Sequence, residues 1–107
     1  MYTANSQNNM NPYLVKEIME ANPKKLLLKV YDFAILNCQK RNMIKANEAL
    51  GVLISALRFD DAQASQISLG LMKIYQFCQD QMRKGNFEIA YKFLTELRIE
   101  WQKALKD

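Results

Sequence analysis

The sequence predicts an all-α fold, an antiparallel up-and-down four-helix bundle with a short N-terminal helix or cap, and three observations predict it. Apolar residues recur at spacings of three and four along four long stretches, the period of one face of an α-helix. The connections between those stretches are only a few residues long, which favours consecutive helices lying side by side and antiparallel. Three glycines and two prolines in 107 residues are too few for the tight turns of an all-β domain.

The elements follow in order. Residues 1–10, MYTANSQNNM, are polar and without period and read as a mobile arm, leaving 11–107 as a single helical-bundle domain. Asn11-Pro12 reads as N-cap and first turn of a short helix through about Glu20, because proline's fixed φ suits that position and the asparagine oxygen accepts an unpaired N–H. Its apolar face is Leu14, Val15, Ile18 and Met19. Asn22-Pro23 repeats the punctuation and opens a second helix to about Arg41, which Asn42 breaks. A third runs from Met43 to Arg58 with Ala46, Leu50, Leu53 and Leu57 on its stripe. Phe59-Asp60-Asp61 makes a turn whose carboxylates suit the positive end of the next helix. That fourth helix, about Asp61 to Lys84, carries Ala64, Ile67, Leu71, Ile74, Cys78 and Met82 on one stripe with Tyr75 beside them. Arg83-Lys84-Gly85 ends it, with cations against the negative dipole end and a glycine able to turn left-handed. Asn86 can cap the last helix, Phe87 to about Lys106, whose inner face is Phe87, Ala90, Leu94, Leu97, Trp101 and Leu105. No internal repeat is evident.

Several function classes drop out. The net charge of +4 is scattered, with Lys24-Lys25, Lys40-Arg41 and Arg83-Lys84 as its adjacent pairs, so it reads as solvated surface and not a nucleic-acid patch. No apolar run approaches the roughly 18–20 residues that cross a bilayer, and the polar N-terminus is unlike a signal peptide, so a cytoplasmic protein without membrane insertion is expected. The chain has no histidine, and Cys38 and Cys78 lack Cys-x-x-Cys spacing, which leaves no zinc site and no Cys-His nucleophile; both read as core. Asp60-Asp61 reads as a cap, Glu96 and Glu100 lack a Glu-x-x-His partner, and Gly51, Gly70 and Gly85 are too isolated for a phosphate loop. A non-catalytic protein without metal or cofactor is the expectation.

A binding role is signalled by excess grease. Ten of the thirteen residues from Leu26 to Cys38 are hydrophobic. At 100° per residue Leu27, Tyr31, Ala34 and Cys38 form an inward stripe, while Leu26, Phe33 and Leu36 point the other way with Lys29, Asp32 and Lys40. Leaving such side chains wet forgoes about 1.5–3 kcal/mol each. Either the short helix covers them as permanent core, or they form a groove for a partner's amphipathic helix, lidded by the N-terminal segment when empty; a dimer contact is the third option. Lesser excesses lie at Leu69, Phe77, Ile89, Phe93 and Ile99.

Several motifs, taken in sequence order, also resemble those of a known family. Asn11-Pro12-Tyr13, then Ala21-Asn22-Pro23-Lys24-Lys25-Leu26 running into Val30-Tyr31-Asp32, then Leu71-Met72-Lys73-Ile74-Tyr75-Gln76-Phe77, Met82-Arg83-Lys84-Gly85-Asn86 and Leu97 to Trp101 are placed as in that family. Across nearly its whole length the chain resembles the flagellin export chaperones of the flagellar type III secretion system, the FliS family, with shorter hairpins and with phenylalanine at 77 and glycine at 85 replacing the commoner tyrosine and alanine. The resemblance implies a cytoplasmic antiparallel bundle that binds the disordered C-terminal segment of flagellin, prevents premature polymerisation and delivers it to the export gate, with the tyrosine-bearing N-terminal segment over part of the client site. Together the two lines of reasoning place partner contacts at Tyr13, Leu14, Ile18, Leu26, Tyr31, Phe33 and Leu36, and further ones at Ile89 and Phe93. A monomer or weak dimer is expected when the protein is free. The alternatives are a self-associating adaptor or regulatory bundle, or a chaperone for another secretion client.

Overall fold

A computed structural model describes residues 23–106, and every regular element among them is helical: α1 (Pro23–Gln39), α2 (Met43–Ser55), α3 (Ala62–Arg83) and α4 (Phe87–Ala104). The expected arm and the helix from Pro12 lie outside the described residues. α1 packs on α2 and α4, and α3 on the same two, so α1 and α3 face each other across the diagonal of a four-helix bundle. Arg41 pairs with Glu88 and Arg98 with Asp32, which sets α1 and α4 antiparallel. The bidentate Arg98–Asp32 contact, 2.5 Å at its shorter arm, fixes the two helices near one level.

The core is where the stripes predict it: Tyr31, Ala34 and Cys38, Ala46, Leu50 and Leu53, Tyr75, Cys78 and Met82, and Phe87, Ala90 and Leu94 are all buried. The caps are equally local. Asp61 accepts from the Ala64 N–H and Asn42 from the Lys45 N–H, each binding one of the donors a helix start leaves unpaired. Asn86 stands at the N-cap of α4 without a side-chain cap bond; its amide nitrogen donates to Gln81 Oε1. α2 stops at Ser55, short of the expected Arg58; Leu57 still packs against the core, but from the connection.

The diagonal contacts reveal a repeat that the sequence alone had not suggested. Tyr31 meets Tyr75 and Cys38 meets Met82, each pair 44 positions apart, so α1 and α3 run parallel in one register. The same offset relates identical residues at Leu27 and Leu71, Lys29 and Lys73, Tyr31 and Tyr75, Phe33 and Phe77, Asn42 and Asn86, Ala46 and Ala90, Leu50 and Leu94, and Leu53 and Leu97. The bundle is thus one helical hairpin built twice. The hairpin turns match as well. The Asn42 N–H donates to the Asn37 carbonyl and the Arg41 N–H to the Cys38 carbonyl; the Asn86 N–H donates to the Gln81 carbonyl and the Gly85 N–H to the Met82 carbonyl. Each is a Schellman closure, and each needs a left-handed residue: Gly85 at φ 85° and, in the first hairpin, Arg41 at φ 56°. The expectation of no internal repeat is therefore corrected. The outer positions, such as Leu36 against Asp80, have diverged and hide the conserved inner stripe.

Candidate partner-binding surface

At the end of the bundle where α1 and α3 begin and α2 and α4 stop, the side chains fail to meet. They leave an open apolar cleft of about 280 Å³ lined by Leu27, Leu53, Ala56, Leu57, Arg58, Ala64, Ile67, Ser68, Leu71, Tyr75 and Trp101. Two pairs related by the repeat, Leu27 with Leu71 and Leu57 with Trp101, contribute to it, so the cleft opens along the axis relating the hairpins. Ser68 shapes its edge: the hydroxyl donates to the Arg58 carbonyl at 2.7 Å and accepts the Arg58 N–H at 3.1 Å, clamping the α2–α3 connection onto α3. Ser68 is accordingly buried, whereas Ile67, expected on the inward stripe, is 57 % exposed. Phe77 meets Phe93 across the α3–α4 seam, which places Ile67 level with the last turn of α4, where that seam runs out.

Beneath the apolar lining of the cleft lies a buried, hydrogen-bonded cluster, of which Tyr75 and Trp101 also line the cleft. The Tyr31 and Tyr75 hydroxyls lie 2.6 Å apart, and the Trp101 indole N–H donates to the Tyr31 oxygen at 2.9 Å. Burial pushes both phenols above their ordinary titration range. At the other end burial pushes the Cys38 thiol up to about 11, and burial with Cys38 nearby pushes Cys78 up to about 12. Thiols held neutral in this way are poor nucleophiles. Among the described residues no group of three or more Cys, Asp or Glu side chains could hold a metal ion.

The second feature is an aromatic seam on the outside of α3 and α4. Phe77 and Phe93 form an edge-to-face pair with centroids 5.3 Å apart, yet they are 42 % and 38 % exposed, and Ile89 one turn before Phe93 is also exposed. The first hairpin shows how this seam differs. There Ala49 occupies the place of Phe93, and Phe33, the counterpart of Phe77, is half-buried against the core. Phenylalanine at 93 fills the space that alanine leaves open, so two rings remain at the surface.

The predicted contact residues are only partly brought together. Tyr13, Leu14 and Ile18 lie outside the described residues. Leu26 is half-buried, Phe33 belongs to the flank of the core, and Leu36 is 45 % exposed. The greasy patch expected on this helix is therefore reduced, because four-helix packing absorbs Val30, Phe33 and Ile35 from both flanks of α1. Tyr31 has no exposed surface and its hydroxyl is spent within the core, so its expected place at a partner contact is corrected to one beneath the cleft. Ile89 and Phe93 are grouped with Phe77, as above. Sequence reasoning missed the cleft residues Leu57, Ile67 and Trp101, each of which reads as ordinary stripe; the signal available was the repeat, which pairs Leu57 with Trp101.

No helix of the described residues is long and apolar enough to cross a membrane. Comparison with known proteins finds no match: no family model, no curated protein and no solved structure is similar to the chain.

Proposed function

We propose that this chain is a cytoplasmic, non-catalytic chaperone of a secreted filament protein, holding the C-terminal helical segment of flagellin so that it neither polymerises early nor aggregates before export. The observation that carries this reading is the open apolar cleft of about 280 Å³ at one end of the bundle. The exposed Phe77–Phe93 pair supports it, since an apolar surface of this kind on a small domain marks a place for a partner. The motifs that resemble those of flagellin export chaperones support flagellin as the client. A disordered client segment that orders on the bundle offsets an ordering cost of about 2–5 kcal/mol by apolar burial. Isothermal titration with a flagellin C-terminal peptide tests the proposal: a Kd near 1 µM, about −8 kcal/mol, is expected, and absence of heat at tens of micromolar, about −6 kcal/mol, removes it.

The rival is self-association. Ile44, 74 % exposed, and Val52 and Leu69, also exposed, lie on α2 and α3 away from the cleft and favour a contact between copies. Sedimentation of the free chain separates the two, because a tight dimer is expected only on the second reading.

A further inference from the structure

The Tyr31–Tyr75–Trp101 cluster carries one proton more than it can use. Its three donors are the two phenol hydroxyls and the indole N–H; its two oxygen acceptors among the described residues are the phenols themselves, with Trp101 donating to Tyr31 and one bond running between the phenols. Among the described residues one hydroxyl proton is therefore left without an acceptor, in a cluster whose phenols are 0 % and 1 % exposed. Tyr31 already accepts the indole proton. If Tyr31 donates to Tyr75, the surplus proton is on Tyr75, which lines the cleft; the reverse order strands it on Tyr31, which does not line the cleft and has no surface. An unmade buried hydrogen bond is costly, so the first order is favoured whenever something in the cleft can accept.

We propose that the cleft selects an apolar peptide segment presenting an uncharged carbonyl oxygen, which accepts the Tyr75 hydroxyl proton. It rests on the reading of the cleft as a partner site. Carbonyls inside a helix are already bonded, whereas the last four of a helix are not, so the segment seated here is the C-terminal turn of a partner helix or an extended stretch. The cleft, at about 280 Å³, falls just below the roughly 300–1,000 Å³ of sites enclosing a drug-sized ligand, a size for one or two side chains with their backbone. A carboxylate is disfavoured there, because an ionised oxygen against apolar walls loses its hydration and Arg58 at the rim is already paired with Asp60 at 2.6 Å.

The full chain tests this with two probes of similar shape, 4-phenylbutan-2-one and 3-methylbutylbenzene, in which CH–CH3 replaces C=O. The single indole N–H resonance, that of Trp101, reports binding of either. The affinity ratio of ketone to hydrocarbon is expected to fall about two- to tenfold in Tyr75→Phe, the worth of one neutral hydrogen bond, and to survive in Tyr31→Phe. An unchanged ratio in Tyr75→Phe overturns the proposal, as does silence from both probes. If that variant does not fold, the carbonyl stretch of the ketone bound to the unaltered chain decides: a shift to lower wavenumber than in hexane supports the proposal, and an unshifted band overturns it. Peptide binding with an unchanged ratio sinks only the hydroxyl inference, whereas probe discrimination without peptide binding sinks only the flagellin reading.

Discussion

Replacing Arg41 by alanine and, separately, by glycine resolves two opposed effects at one residue. Its backbone is left-handed at φ 56°, a conformation that costs a side-chain-bearing residue about 1–2 kcal/mol and glycine almost nothing. Its side chain offsets that cost. The guanidinium lies 4.8 Å from the centre of the Phe87 ring, donates to the Gly85 carbonyl at 3.1 Å and pairs with Glu88 at 3.2 Å, tying the two hairpin turns together. The guanidinium is 55 % exposed, so the ring contact contributes about 0.5–1 kcal/mol and the ion pair at most about 1. Alanine loses those contacts and keeps the strain, and is expected to destabilise the chain by about 1–2 kcal/mol. Glycine loses the same contacts but relieves the strain, and should recover about 1 kcal/mol of that, roughly 4–8 °C in Tm. Urea denaturation followed by circular dichroism, read as a change in midpoint at constant slope, measures both. Equal stability of the two variants, or a glycine variant weaker than the alanine one, would refute the assignment of a strained closure at Arg41.

Two further predictions follow from the same structure. Phe93→Ala copies the first hairpin's Ala49 into the second, so Phe77 should settle into the seam as Phe33 does. The stability loss is then about 1–2 kcal/mol, below the roughly 3–5 of a fully buried phenylalanine, and peptide affinity should fall more than tenfold; a loss of stability as large as that of Leu94→Ala would place Phe93 in the core instead. The buried thiols contribute to alkaline stability, since their ordinary value of 9.0 is raised to about 11 at Cys38 and about 12 at Cys78 in the native chain. Their contribution is whole below pH 9 and is lost as pH climbs through about 11–12, because the unfolded chain releases protons that the native one retains; the raised phenols of Tyr31 and Tyr75 act in the same direction. The urea midpoint should hold from about pH 7 to about pH 9 and then decline, less steeply when both cysteines are alanine, and a flat profile to about pH 11 would contradict this.

The helices and most of the core were legible because they rest on local chemistry: the 3.6-residue stripes, Asp61 and Asn42 as caps, and Gly85 as the left-handed stop. What escaped depends on residues far apart. Arginine carries no signal for positive φ, so the closure at Arg41 shows only beside Phe87 and Glu88. Ile67 matches the stripe of α3 as well as Ser68 does, and only the hydrogen bonds from Ser68 to Arg58, ten positions away, decide which of them turns inward. The packing splits the apolar excess of α1 in a way the helical period does not show. Phe33 packs against the core while Leu36 stays exposed, and further uncovered apolar surface lies at the cleft and at Phe77 and Phe93. A cleft made from the ends of four helices leaves no mark on any one of them.

Amide chemical-shift mapping of the 15N-labelled chain against a flagellin C-terminal peptide tests the account most directly. The account predicts that the perturbed residues cluster around Leu27, Leu57, Ile67 and the Trp101 indole and extend to Phe77 and Phe93, leaving Ile44, Val52 and Leu69 unmoved. Perturbations confined to the α2–α3 side, or a spectrum that the peptide leaves unchanged, would contradict it.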